Sequence, residues 1–318
     1  MDEIWDCLVV GGGAAGLSAG LVLGRARRKT LLIDAGEQSN LAAAGIGGLL
    51  GHDGRPPAEL YALGRSELAS YGVQIRSGAV TDVTGVDGAF AVRLADGATE
   101  RTRRVLLATG MAYLPPELPG VDELWGRSVF HCPFCHGWEI ADQPLAVLAR
   151  GERAVHLALL SRCWTDDIVV LGDGSADLDD AGRARLAAAG IEVDERTLAV
   201  LDSDDGELSA VVFADGSRLA RRGMLVATGM RQRDRLAARL GVDITGPGPG
   251  AEDPVGVDPL CRTSISGVFA AGDLTGEMPQ VAAAIAAGSR AAAAVVQSLA
   301  ADDYGLPLPG LATAGGRR

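Results

Sequence analysis

The sequence predicts an α/β protein made of two Rossmann-like nucleotide-binding units, and three observations carry that prediction. A short apolar run, Cys7-Leu-Val-Val10, passes through glycines into a small-residue helical stretch at 14–23 and then into a second apolar run, Lys29-Thr-Leu-Leu-Ile-Asp34. That order of strand, turn, helix and strand requires a parallel pair. A second α/β pattern begins after Leu114-Pro-Pro-Glu-Leu-Pro-Gly120, where proline forbids a continuous helix or central strand and the chain crosses between units. Finally, Leu107-Ala-Thr-Gly-Met111 returns almost unchanged as Val226-Ala-Thr-Gly-Met230, which points to two related halves.

In chain order, the first unit should continue with strands at 74–75, 80–83, 90–94 and 105–108, the middle ones separated by turns such as Asp87-Gly88 and Asp96-Gly97. The basic run Arg25-Ala-Arg27-Arg28-Lys29 falls where the first helix should end and complements its dipole. The second unit reads as a strand at 144–148, a helix at 153–162, a strand at 168–171, a helix at 181–189 and a closing strand at 224–227. A Gly/Pro loop, Thr245-Gly-Pro-Gly-Pro-Gly250, then precedes Gly267-Val-Phe-Ala-Ala-Gly-Asp273. The Ala-rich stretch 281–296, interrupted by Gly288, Ser289 and Arg290, is expected to be a buried helix too short to span a bilayer. Residues 305–318 read as a poorly ordered tail.

With 47% hydrophobic residues, the 318-residue chain can form two sizeable cores without staples. Its charge of −12 repels phosphate backbones and anionic lipid, so neither nucleic acid nor a membrane surface is an expected partner. The start, Met1-Asp-Glu-Ile-Trp-Asp6, is acidic and lacks a basic secretory n-region, so a cytoplasmic location is expected. Five cysteines are too few and too scattered for a disulfide framework.

Gly11-Gly12-Gly13-Ala14-Ala15-Gly16 fits the dinucleotide fingerprint between strand and helix, with Asp34 closing the next strand. Gly11 should make the tight turn, Gly13 admit a pyrophosphate, Gly16 pack helix on strand, and Asp34 accept ribose hydroxyls. Gly267-Val-Phe-Ala-Ala-Gly-Asp273 resembles the late motif by which flavin disulfide reductases hold the ribityl-phosphate part of FAD through the aspartate. FAD is therefore the expected cofactor, the plainer alternative for Asp273 being a helix cap.

His131-Cys132-Pro133-Phe134-Cys135-His136 gathers two of the five cysteines and two of the four histidines. A Cys-x-x-Cys at a helix start closes a small disulfide ring, and a helix N-terminus with a nearby imidazolium lowers a thiol pKa. The histidines, titrating near neutrality, would hold or deliver protons. Cys132 to His136 also matches the C-x-x-C-H of haem attachment, disfavoured without an export leader. Zinc is disfavoured because adjacent residues such as His131 and Cys132 rarely chelate one ion, so no metal is expected. Cys7, Cys163 and Cys261 read as structural.

From Gly11 through Gln280 the order of these motifs resembles the low-molecular-weight thioredoxin reductases. The resemblance implies an FAD domain in two parts, 1–117 and 244–318, with an inserted NAD(P)-like domain at 118–243 that carries the cysteine pair, in a homodimer. It adds Asn40, Thr109, Gly110, Gly272, Gln280 and Val281 to the flavin contacts at Ala14 and Ala15. Two departures matter. Cys132-Pro-Phe-Cys135-His136 puts His136 where that family's acid–base aspartate lies. It resembles instead the flavin dithiol oxidases of holomycin, gliotoxin and romidepsin biosynthesis. By that resemblance Cys135 faces the flavin, Cys132 exchanges with a small-molecule dithiol, His136 (with His131 as second choice) is the base, and O2 is the final acceptor.

The second departure is Ala149-Arg-Gly151-Glu-Arg-Ala154, where a G-x-G-x-x-A coenzyme turn is expected. Alanine at the tight turn requires a negative φ, and Glu152 brings negative charge toward a pyrophosphate. Gly172-Asp173-Gly174 after the next strand offers no arginine for a 2′-phosphate. NADPH use is expected to be weakened or lost. An NAD(P)H-dependent thioredoxin reductase remains the alternative.

Overall fold

The computed structural model describes residues 4–248 and 250–307. The chain opens with β1 (Ile4–Val10), α1 (Ala14–Arg25), β2 (Thr30–Asp34), α2 (Pro57–Ala69), β3 (Gln74–Ser77), β4 (Val80–Val86), β5 (Ala89–Leu94), β6 (Thr99–Leu107) and β7 (Met111–Leu114). It continues through α3 (Val121–Leu124), β8 (Val129–Phe130), α4 (Pro133–His136), β9 (Leu145–Leu148), α5 (Gly151–Ser161), β10 (Ile168–Leu171), α6 (Asp180–Ala188) and β11 (Glu192–Asp194). There follow β12 (Leu198–Asp204), β13 (Glu207–Phe213), β14 (Arg218–Ala220), β15 (Gly223–Val226), β16 (Gly229–Gln232), α7 (Leu236–Leu240), β17 (Val268–Ala270) and α8 (Val281–Tyr304).

The first sheet runs β3-β2-β1-β6-β5-β4, with β17 also on β6. Its central strands are parallel and in register, Val10 beside Ile33 and Leu107, and Leu107 beside Ala270. The C-terminal ends of β1, β6 and β17 therefore emerge side by side, and the segments that follow them share one edge, where open α/β sheets bind ligands. α1 and α8 cover one face, and α7 with β4 and β5 encloses the other.

The second sheet, β11-β10-β9-β15-β8, is wholly parallel. α5 and α6 cover one face, while the antiparallel β12-β13-β14 sheet covers the other through Leu201, Leu208, Val211 and Phe213. The two repeated Ala-Thr-Gly-Met segments leave their sheets and meet each other, since β7 pairs antiparallel with β16 and Leu114 lies opposite Gly229. Leu236, Ala237 and Val242, which the sequence places before the return at 244, pack in the core of the first unit.

The late helix also departs from expectation. α8 is unbroken over 24 residues, long and apolar enough to cross a bilayer by length and composition alone. Its interrupting glycine is a point of contact, because a Cβ on Gly288 would fall 2.0 Å from the Ala15 carbonyl oxygen of α1. Ala284, Ala287, Ala291, Val295 and Leu299 complete that seam, which is the packing of a core helix. The predicted tail lies mostly outside the described residues.

Candidate active site

A cavity of about 350 Å³ opens at the shared edge of the first sheet. Gly11, Gly13, Ala14 and Ala15 line it from the first turn, Asp34 from the end of β2, Asn40 from the segment after it, and Thr109 and Gly110 from that after β6. Gly272, Asp273, Gln280 and Val281 close the far wall. Among the expected cofactor contacts Gly16 alone does not line it. A Cβ on Gly16 would lie 1.9 Å from the Gly11 carbonyl oxygen, so this glycine packs α1 on the turn. Gly11 has φ +107°, with Ala108 O only 2.2 Å from where a Cβ would stand. Gly13 by contrast faces open space, where a Cβ would meet only Gln38 Cγ at 3.6 Å.

Asp34 accepts the Gly12 amide at 3.1 Å, the Gly36 amide at 3.1 Å and Gln38 Nε2 at 2.9 Å, and is ion-paired with Arg65 of α2. The sequence does not reveal Arg65, because α2 buries only Pro57, Tyr61 and Leu68 and so shows little periodicity. Tyr61 of the same helix donates to Asn40 Oδ1 at 2.7 Å, and burial pushes its phenol up to about 12. Burial likewise raises the Asp273 carboxyl to about 6, in part offset by Arg233.

Ser39, Asn40, Tyr113, Pro279, Gln280 and Val281 also line a second cavity, of about 380 Å³, which continues to Cys135, His136 and His131. Cys132 caps the short α4 and is joined to Cys135 by a disulfide, their Cα atoms 5.3 Å apart. Cys135 lies in the cavity wall and Cys132 does not. The backbone of Cys135 rests against Gly47, where a Cβ would fall 2.4 Å from its carbonyl oxygen. Among the described residues no group of three or more His, Cys, Asp or Glu is arranged to hold a metal. Cys7 and Cys261 are buried, but Cys163 is exposed and contributes nothing to a core.

The histidines are not the imidazolium groups that the sequence suggests. His136 stacks on Phe130 with ring centroids 5.2 Å apart, and its Nε2 lies 3.1 Å from the Gly126 carbonyl oxygen. His131 packs between Tyr113 and Trp125, at 4.1 and 5.9 Å. Burial holds both below the usual value, His131 at about 4. Both rings are therefore neutral at pH 7, and His136 can take up a proton. Unfolded His131 titrates near 6.5, so between these values the unfolded chain binds the extra proton and stability falls as the pH drops. At pH 5 this residue should cost about 2 kcal/mol relative to pH 7, a loss absent from His131→Phe when urea midpoints are compared at both pH values.

The degenerate coenzyme turn is closed by the chain itself. Gly151 opens α5, and its amide donates to Ala176 O at 2.8 Å, so the segment 172–178 lies where a pyrophosphate would approach. Ala149 has no positive φ, Glu152 is paired with Arg185, and Arg150 donates to Asp173 O.

Comparison with known proteins covers both sheets and the cysteine pair at once. Thioredoxin reductase tcpT of Claviceps purpurea and thioredoxin reductase sirT of Leptosphaeria maculans are 31% and 32% identical, each alignment covering 94% of this chain and 96% of the relative. The crystal structure of HlmI superposes with a TM-score of 0.90 at 38% identity over 96% of both chains. An oxidoreductase from Agrobacterium tumefaciens superposes at 0.87 with 35% identity, over 93% of this chain and 99% of that one. The sequence profile of the pyridine nucleotide-disulphide oxidoreductases matches residues 5–288, from β1 to the glycine that seats α8 on α1. Likeness over that span, around a disulfide set between two nucleotide-type folds, makes the chain a member of this family, in its thioredoxin-reductase-like branch.

Proposed function

We propose that this chain is an FAD-dependent dithiol oxidase that closes a disulfide in a small-molecule dithiol, with O2 as acceptor and H2O2 as product. The observation that carries this reading is the filled coenzyme turn, in which Gly151 N–H is bonded to Ala176 O while the cysteine pair and first cavity are complete. The first cavity suits FAD. The open side of Gly13 and the amides that begin α1 favour a pyrophosphate, Asp273 offers acceptors to ribityl hydroxyls, and Asp34 stands at the ribose position of the fingerprint, where ribose hydroxyls would compete with Gln38 and Arg65 for its carboxylate. FAD there supplies a two-electron acceptor that passes electrons to O2.

The protein's own residues perform the thiol exchange. One substrate thiolate attacks Cys132 Sγ, the Cys132–Cys135 bond breaks, and Cys135 leaves as a thiolate at the cavity wall. The second substrate thiol then attacks the mixed disulfide, so the substrate leaves oxidised and both cysteines remain reduced. Neutral His136 accepts the thiol proton. The relatives' names favour a second reading, an NAD(P)H-dependent thioredoxin reductase acting on a small protein disulfide.

Anaerobic mixing separates the two. A small dithiol should bleach the flavin absorbance rapidly and NADPH should leave it standing, and in air one H2O2 should form per dithiol. Rapid bleaching by NADPH would establish the reductase instead.

A further inference from the structure

Among the described residues, the first cavity is lined by four carboxylates, Asp34, Glu37, Asp234 and Asp273, and by a single cation, Arg233. Two of the carboxylates are already engaged, since Asp34 is paired with Arg65 and Asp234 accepts the Leu236 amide at 2.7 Å. Arg233 is the first residue after β16, and the pairing of Gln232 with Met111 brings it beside β7. There its Nη2 donates to Ser39 Oγ at 2.7 Å, and its Nη1 stands 3.9 Å from Glu37 Oε2. Those two residues flank Gln38, whose Cγ is the atom met by the open side of Gly13. The guanidinium is therefore held on the segment that faces Gly13 across the space left open there.

We infer that Arg233 is a cofactor-binding residue that pairs with the diphosphate of FAD from the side opposite the first turn of α1. This rests on the reading of the first cavity as the FAD site, and adds a contact that the glycine fingerprint does not contain. A diphosphate brings negative charge into a wall where carboxylates outnumber cations four to one. The start of α1 offers the equivalent of only about half a positive charge against it. A guanidinium supplies a whole charge and a fork of donors that matches phosphate oxygens, whereas the neutral ring of an oxidised flavin has no charge to balance. The bond to Ser39, which itself donates to Met111 O, braces the side chain and uses one of its five N–H groups. Because Arg233 follows the strand by which the chain returns from the second unit, the cofactor site is complete only after that return.

Ultrafiltration of the flavin-loaded enzyme at decreasing concentration gives the Kd for FAD. Arg233→Gln, which removes the charge and keeps a donor for Ser39, should raise this Kd by roughly tenfold or more, and Arg233→Lys should recover most of the loss. The absorbance bands of the bound flavin should be the same in all three proteins, because the diphosphate lies away from the ring. An unchanged Kd in Arg233→Gln would overturn the inference. Shifted flavin bands would also overturn it by placing the contact on the ring, and an Arg233→Lys protein as weak as Arg233→Gln would do so by showing that charge is not what matters. All three results leave the FAD reading intact. Failure of the unaltered protein to retain FAD at any concentration would remove that reading and this inference with it.

Discussion

Cys135→Ser is expected to reduce dithiol turnover by roughly 10⁴-fold or more while leaving a protein whose Cys132 still captures the disulfide product. The two cysteines are placed unequally. Cys135 stands in the wall of the cavity that continues into the first cavity, with its backbone pressed on Gly47, whereas Cys132 caps α4 outside that lining. With serine at 135 no intramolecular disulfide forms, and nothing next to the flavin site can pass on electrons. Cys132 keeps its thiol, so when the cyclic disulfide product is supplied the Cys132 thiolate should attack it, opening its S–S bond to a mixed disulfide and a free product thiolate, visible as an added mass in the intact protein. Cys132→Ser should be equally inactive and should acquire no such adduct. Adducts on Cys135 rather than Cys132 would reverse the assignment. Neither change should alter the fold, since each replaces sulfur by oxygen on half-buried side chains.

Gly288→Ala should be the most damaging change remote from the disulfide. The added methyl would lie 2.0 Å from Ala15 O and 2.9 Å from its Cα, and both are backbone atoms that cannot swing aside. Either α8 lifts from α1, opening the seam around Ala284, Ala287 and Ala291, or the turn carrying Ala15 shifts. Overpacking of this kind costs about 1–3 kcal/mol, and here it also displaces residues that line the first cavity. The expected result is a lower melting temperature together with loss of flavin on gel filtration. Ser289→Ala, one residue along and half-buried, should change neither. A Gly288→Ala protein that melted normally and kept its flavin would show that the seam has slack.

Local pattern made the β1–α1–β2 unit and the cysteine pair legible, because each is fixed by a few consecutive residue types. The second cavity was not, since it is assembled from residues 39–48, 113–136 and 278–282, and nothing within any one stretch shows that the others face it. Arg65 is not legible because α2 has so narrow a buried stripe. The β12–β14 sheet was hidden by its Asp and Ser content, although in β13 the buried Leu208 and Ala210 alternate with the less buried Glu207 and Ser209 as a half-buried strand requires. The protonation of His131 and His136 depends on burial, which residue identity does not encode. Gly288 looked like an interruption because in sequence a glycine that breaks a helix and one that seats it are the same letter.

The β7/β16 ribbon has a consequence for chain connectivity. Leu114 and Gly229 are direct partners, so the chain departs from the first unit and comes back to it at points about 5 Å apart. Topologically, everything between them is one excursion whose ends are already tied. The entropy of closing such a loop grows only with the logarithm of its length, so a long excursion burdens its host little more than a short one. The host sheet is thus nearly indifferent to how much polypeptide is spliced in at that spot, which is how a whole cysteine-bearing unit can hang from it without loosening β6.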